Sequence, residues 1–442
     1  MKAQTKPLIV LVFAPSAYPL GGVQTWLDYL VPGLRNKDMD VRLVLSEGRF
    51  HKPQTYLDFH PQLPQEAIIT LSSKGTSQID RVQSIKNIIL NIKPDACLVV
   101  NMVDVIQAVN ELRAKNQSDT RLISTLHGVH AGMLEMILHY RELLDAVISS
   151  NRLTQTLVSK RARLDPHRSL YAPYGVKTHR TLSKANSTSF SVAFVGRFEE
   201  DQKRISDLLK ILSIALSQID ALEIHLAGDS DNRVVQEWLS EQAQYADQIN
   251  DHGVLKPNEL VEKVYMKADA LLLTSEWETG PIVAWEAMSF GLTLISSRYI
   301  GAQHEGSLID NKNCLLFDIG DCKEAVKQLK RAQDPKLRQK LNTNAAALIE
   351  QRYTISKSVT AWHQCILDSL KFEPQKQVVE NIGRDKGRLN NLLGKLAPSH
   401  NDWLAAQLRK LVNTAPTANN AGSEWPHSYR RGEDSLVDLS DL

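Results

Sequence analysis

The sequence predicts an α/β protein of two doubly wound domains facing a cleft. Short apolar runs alternate with amphipathic helical stretches, the alternation breaks once at a polar stretch and restarts, and 442 residues are too many for one core. Strand and helix in alternation mark βαβ units around a parallel sheet. An ordinary domain holds roughly 100–200 residues, so two cores are expected. Apolar residues at 43% and charged residues at 23% give an ordinary globular balance, far from that of disordered chains. A formal charge of +2 is too small to draw nucleic acid or an anionic membrane by its field, so no nucleic-acid partner is expected. Any anionic ligand must be met by a local cluster.

In the first half, residues 8–13, 41–45, 67–71, 96–100, 121–125 and 146–149 have the apolar character of strands. The first run follows Lys2 and Lys6 and so has the outline of a secretory leader. It is nevertheless as short as a buried strand, and Gly21-Gly22 then opens a strong helical pattern, as in a first β-α unit. No run reaches the roughly 18 apolar residues of a membrane span, which limits membrane contact to a peripheral one. Cys97, Cys314, Cys322 and Cys365 have neither C-x-x-C spacing nor a His pair nearby. A reducing cytoplasm fits that usage.

The alternation halts at 176–189, which ends in Ala-Asn-Ser-Thr-Ser. This places a first domain at 1–178, a linker at 179–190 and a second domain at 191–352. The second domain repeats the scheme, with strands at 191–195, 223–227, 270–274 and 293–297 and helices from 205, at 232–243, at 258–267 and from 281. A helix at 353–372 is expected to pack back across the domains. Residues 373–442, with short helical pieces and a polar Asn-Thr-Ala-Pro-rich stretch, form a partly disordered tail. In doubly wound sheets ligands sit beyond the carboxyl ends of the strands, so candidate site residues lie just past them.

The run 270–274 leads into Ser-Glu-Trp-Glu-Thr-Gly and then Pro281. Proline suits the first helical position, and Gly291 stands where a helix end wants positive φ, so a helix of about ten residues is expected from Pro281. Its unpaired amides, with Thr279 and Gly280 before them, form an anion site. Glu278 precedes the helix and Glu286 lies inside it, so the two carboxylates can bracket an extended ligand. An ionised carboxylate accepts from both hydroxyls of a vicinal diol. The plainer alternative makes Glu286 a solvent-facing helix residue and Glu278 a dipole partner. Strand 191–195 ends in Gly196-Arg197, with Lys203 six residues on. Such a pair neutralises a diphosphate, Arg as a bidentate fork and Lys as a point charge. Alternatively, both are solvated charges among Glu199, Glu200 and Asp201. Gly22 after the first strand and His127 after strand 121–125 sit where ligand residues belong, though tight turns use glycine too and a lone His is more often structural.

The order Ser275, Glu278, Glu286-Ala-Met, Gly291, Gly301, Glu305, Asn313-Cys-Leu-Leu-Phe-Asp-Ile-Gly-Asp resembles the donor block of retaining glycosyltransferases of family 4, which have the GT-B fold of two Rossmann-like domains. Gly196-Arg197-Phe198…Lys203 and Tyr171-Ala-Pro-Tyr-Gly-Val176 resemble two further motifs of that family, with Arg204 where Gly is common and Tyr174 in place of Asn. The resemblance implies that Glu278 binds the donor hexose, Glu286 the nucleotide ribose, and the Thr279-Gly280-Pro281 backbone the hexose or phosphate. It implies further that Arg197 and Lys203 hold the diphosphate, that Gly22 approaches it, and that His127 contacts the donor sugar. Thr-Gly-Pro stands where the family often has Gly-Phe-Gly. The implied activity is metal-independent hexosyl transfer with retention from a UDP- or GDP-linked sugar, which is substrate rather than cofactor, to a glycan or lipid-linked acceptor in surface polysaccharide biosynthesis. Asp229-Ser-Asp231 has the form of a metal-diphosphate triplet, but a turn or helix cap after Gly228 accounts for it more simply. Two rivals share the fold: a nucleotide-sugar 2-epimerase, and a non-catalytic subunit that binds sugar nucleotides.

Overall fold

In the computed structural model the chain divides into two compact units. One is formed by residues up to Pro173 and from Val359 onward, the other by Tyr174–Ser358. The structure describes residues 6–16, 21–47, 52–72, 78–129, 131–179, 189–229 and 232–375.

The first unit carries β1 (Leu8–Pro15), β2 (Met39–Glu47), β3 (Ile68–Ser72), β4 (Ala96–Val100), β5 (Arg121–Leu126), β6 (Ala146–Ser149) and β7 (Ser169–Tyr171). They form one sheet in the order β3-β2-β1-β4-β5-β6-β7, with every pairing parallel. The second unit carries β8 (Phe190–Val195), β9 (Leu222–Ala227), β10 (Ile249–Asp251), β11 (Ala270–Leu273), β12 (Thr293–Ser297) and β13 (Leu315–Phe317). Its sheet runs β10-β9-β8-β11-β12-β13, again parallel throughout. Helices cover both faces of such sheets, which is why the central strands are continuous apolar runs rather than alternating ones. All residues of β4 and of β11 are buried. In both sheets the strand order reverses once, between β1 and β4 and between β8 and β11, and a crevice opens at such a switch point.

β7, β10 and β13 are three residues long and lie at sheet edges, too short for any period to reveal them. The unit boundary also falls earlier than the expected 178. The amide of Val176 donates to Tyr353 O (2.8 Å) and that of Ile355 to Val176 O (3.1 Å), so 174–176 are bonded into the second unit. A side chain at Gly175 would come within 2.7–2.9 Å of Ser358, Ile355 and Thr354, which is why the Tyr-Gly-Val turn keeps its glycine. Most of the expected linker, residues 180–188, lies outside the described residues.

The helix at the end of the described chain spans Ile355–Lys371, and from Val359 onward it belongs to the first unit. There Trp362 is fully buried and packs against Trp26 with ring centroids 4.6 Å apart. Beyond the helix the amide of Gln375 donates to Asp145 (2.8 Å), and Arg168 donates to Glu373 O. The tail from 376 lies outside the described residues. Truncating Trp362 to Ala empties an indole-sized volume in this core. The expected loss is about 3–5 kcal/mol of unfolding free energy, measured by urea unfolding followed by near-UV circular dichroism.

Candidate functional site

Two loops meet where the second sheet reverses. The loop after β8 runs from Gly196 to Arg204, which caps the helix Ile205–Gln218 in the left-handed conformation (φ 50°). That conformation suits glycine, and Arg204 holds it by ion pairs to Asp207 (2.5 Å) and Glu276 (2.6 Å). The loop after β11 runs from Thr274 to Pro281. The amide of Glu276 donates to Gln202 O (2.8 Å), and the Thr274 hydroxyl donates to Lys203 O (2.7 Å). The stretch after β12 joins them, since the amide of Glu278 donates to Ile300 O (3.2 Å) and that of Ile300 to Glu276 O (2.9 Å). Three loops from adjacent strands are thus cross-linked by their own backbone.

Within this frame the Lys203 ammonium donates to Glu278 Oε1 at 2.5 Å, with the two side chains only 11% and 5% exposed. The Ser275 hydroxyl donates to the same oxygen (2.6 Å), and the Gln202 amide donates to Oε2 (3.2 Å). Gln202 in turn accepts from Arg197 (2.9 Å), whose side chain is 68% exposed and also pairs with Glu199 (2.8 Å). Arg197 and Lys203 therefore differ in kind. The first resembles the solvated charge of the plainer alternative, whereas the second is a buried cation neutralised by Glu278. Burial raises the Glu199 carboxyl against the opposing pull of Arg197 and Lys203. Sequence reasoning did not single out Gln202, which links Arg197 to Glu278; only its place beside Lys203 pointed to it.

Pro281 is the cap rather than the first helical residue. Its ψ of 90° is extended, and the helix is Ile282–Ser289, shorter than the expected ten residues. Gly280 has φ 94°, and Thr279 is buried. Glu286 is not a solvent-facing residue: it is partly buried, and the Tyr265 hydroxyl donates to its Oε2 at 2.8 Å. Burial pushes the Glu286 carboxyl up to about 7, against the pull of the Tyr265 hydrogen bond and the Lys177 charge. Tyr265 ends a short π turn, Val261–Tyr265, inside the stretch expected as an uninterrupted helix.

Asp229 accepts from the amide of Phe198 (2.9 Å), a loop-closing role that fits the turn reading; Asp231 lies outside the described residues. Among the described residues no three His, Cys, Asp or Glu side chains gather as a metal site, and no helix is long and apolar enough to cross a membrane. The four cysteines are free and buried.

In the first unit, Gly22 is exposed and opens the helix Gly22–Arg35 that follows β1. His127 follows β5, buried beside Trp26 (4.5 Å between ring centroids) and facing Thr125 Oγ1 at 3.0 Å. Burial pushes the His127 imidazole down to about 3, so it is neutral at ordinary pH. His130 lies outside the described residues.

Residues 176–348 match the family model described as glycosyl transferases group 1, a span that includes Arg197, Lys203, Glu278 and Glu286. The lipopolysaccharide 1,6-galactosyltransferase of Escherichia coli is 28% identical over 150 residues, 34% of this chain and 41% of that protein. The match thus spans well under two thirds of the relative's length. A glycosyltransferase from Rickettsia africae superposes with a TM-score of 0.69 at 13% identity, over 83% of this chain and 100% of that one. Anabaena HepE in complex with UDP and glucose gives 0.64 at 17% identity, over 82% and 99%. At such identities the likeness concerns the fold, which is the expected GT-B pair of parallel-sheet, Rossmann-like units.

Removing one partner of a buried ion pair leaves the other charge uncompensated. Glu278→Ala should lower the unfolding free energy by about 3–5 kcal/mol. Replacing both partners, as Lys203→Met with Glu278→Leu, should cost less than the single change, and urea unfolding of the variants measures the difference.

Proposed function

We propose that the chain is a glycosyltransferase that moves a hexose from a UDP- or GDP-linked sugar to a glycan or lipid-linked acceptor, without a metal and with retained configuration, in surface polysaccharide assembly. The observation that carries this reading is the direct contact of Lys203 with Glu278 at 2.5 Å. A ligand that engages both must present an anion beside a hydroxyl donor. A hexose on a diphosphate does so, because its phosphate and ring hydroxyls are adjacent. Lys203 then turns from Glu278 to the diphosphate, and Glu278 accepts from a hexose hydroxyl.

Arg197, exposed at the mouth of the same loop, adds a bidentate fork for the second phosphate. Together the two cations stabilise the charge that develops as the nucleoside diphosphate leaves. The acceptor hydroxyl attacks from the side of the leaving group, and the departing phosphate takes its proton. Glu286 holds the ribose diol. Likeness to a lipopolysaccharide galactosyltransferase and to a structure holding UDP and glucose supports the donor class and the envelope role. Membrane contact, on this reading, is peripheral and serves a lipid-linked acceptor.

Lys203→Ala and Arg197→Ala should each lower kcat by more than about tenfold with the fold retained by circular dichroism. The assay follows nucleoside diphosphate release and product anomer by NMR with UDP-glucose, UDP-galactose and GDP-mannose. Losses below tenfold in both variants, an inverted anomer, or an epimerised nucleotide sugar formed without acceptor would each contradict the proposal.

A further inference from the structure

The two carboxylates of the donor segment lie in different surroundings. Glu278 is matched by a cation, whereas Glu286 has a phenol. The Tyr265 ring is buried against Phe290, with centroids 5.3 Å apart, and His179 also stacks on Phe290 at 3.8 Å. This stack fixes the Tyr265 hydroxyl at 2.8 Å from Glu286 Oε2. The ring sits at the end of the Val261–Tyr265 π turn, where the amide of Met266 bonds Val261 O at 2.9 Å. One extra residue in that turn rotates Tyr265 toward the helix Ile282–Ser289, and such turns recur at functional sites.

We propose that Tyr265 is a positioning residue for Glu286: its hydroxyl holds Oε2, so that Oε1 is the oxygen turned to a ligand diol, and it favours the carboxylate form that a diol needs. The inference rests on the reading of Glu286 as the ribose-binding group. A hydrogen bond to the charged form of a buried carboxyl lowers its pKa, and loss of that bond raises it. The other groups acting on Glu286 are few. Among the described residues Lys177 supplies the charge that pulls its carboxyl down, and His179 stacks on Phe290. β11 and β12 bring only apolar and hydroxyl side chains. The helix Pro335–Leu348 and the following π turn bring buried Leu341, Ala345, Ile349 and Tyr353, the last stacked on Trp285.

The sign follows from the chemistry. Diol hydroxyls donate only to acceptors, so affinity rises with pH as Glu286 ionises around its value of about 7 and levels off above it. Tyr265→Phe keeps the ring and its stacking while removing the donor, which moves that midpoint upward.

The experiment is calorimetric titration of UDP and GDP into wild type, Tyr265→Phe and Glu286→Gln between about pH 6 and pH 9. For Tyr265→Phe the expected result is affinity weakened about threefold or more near neutrality and within about twofold of wild type at the alkaline end, with the midpoint displaced upward. An unshifted midpoint overturns the positioning role, whatever the variant's melting temperature. Glu286→Gln separates this from the parent reading. If that variant binds as wild type does, or if wild type binds neither nucleotide, the ribose assignment fails and the inference with it. If Glu286→Gln weakens binding and Tyr265→Phe keeps the wild-type profile, only the inference fails.

Discussion

The second unit is organised around the buried contact of Lys203 with Glu278. Taking two charges out of water costs several kcal/mol per ion, and mutual attraction offsets that only when further hydrogen bonds satisfy both groups. The Ser275 hydroxyl and the Gln202 amide supply those bonds to the carboxylate, and the cross-linked loops after β8, β11 and β12 keep all four residues in register. On the proposed reading the pair is a charge arrangement matched to its donor, in which a bound diphosphate takes the place of Glu278 beside Lys203 while Glu278 passes to neutral hydroxyls.

Glu286 works under different constraints. Desolvation without a direct cation raises its pKa toward neutrality, and Tyr265 with Lys177 only partly opposes the shift. Two carboxylates eight positions apart thus have different surroundings, Glu278 held by a lysine and Glu286 by a phenol.

Much of this was legible in the sequence, for identifiable reasons. β4, β6 and β12 coincide with the runs read at 96–100, 146–149 and 293–297, because strands buried on both faces stand out between polar turns as short runs of apolar and small hydroxyl residues. The three-residue edge strands β7, β10 and β13 leave no such trace. The place of Arg197, Lys203 and Glu278 at strand ends was also readable, since doubly wound sheets put their site residues there. What a one-dimensional pattern does not carry is which side chains meet. The contrast between exposed Arg197 and buried Lys203, the bridge through Gln202, and the phenol of Tyr265 on Glu286 all depend on contacts between segments 5 to 76 residues apart. Pro281 also showed a limit of local rules, because its extended ψ made it the cap of a helix it was expected to begin.

The central claim is that Glu278 occupies Lys203 until a donor separates them, after which Glu278 serves the hexose. Calorimetry on Glu278→Gln, comparing UDP with UDP-glucose and GDP with GDP-mannose, tests it most directly. The account predicts that the variant binds the bare diphosphate at least as tightly as wild type, since its lysine is no longer matched by an anion, and loses the additional affinity that the hexose confers. Equal weakening of the bare and sugar-bearing nucleotides, or no change in either, would contradict it.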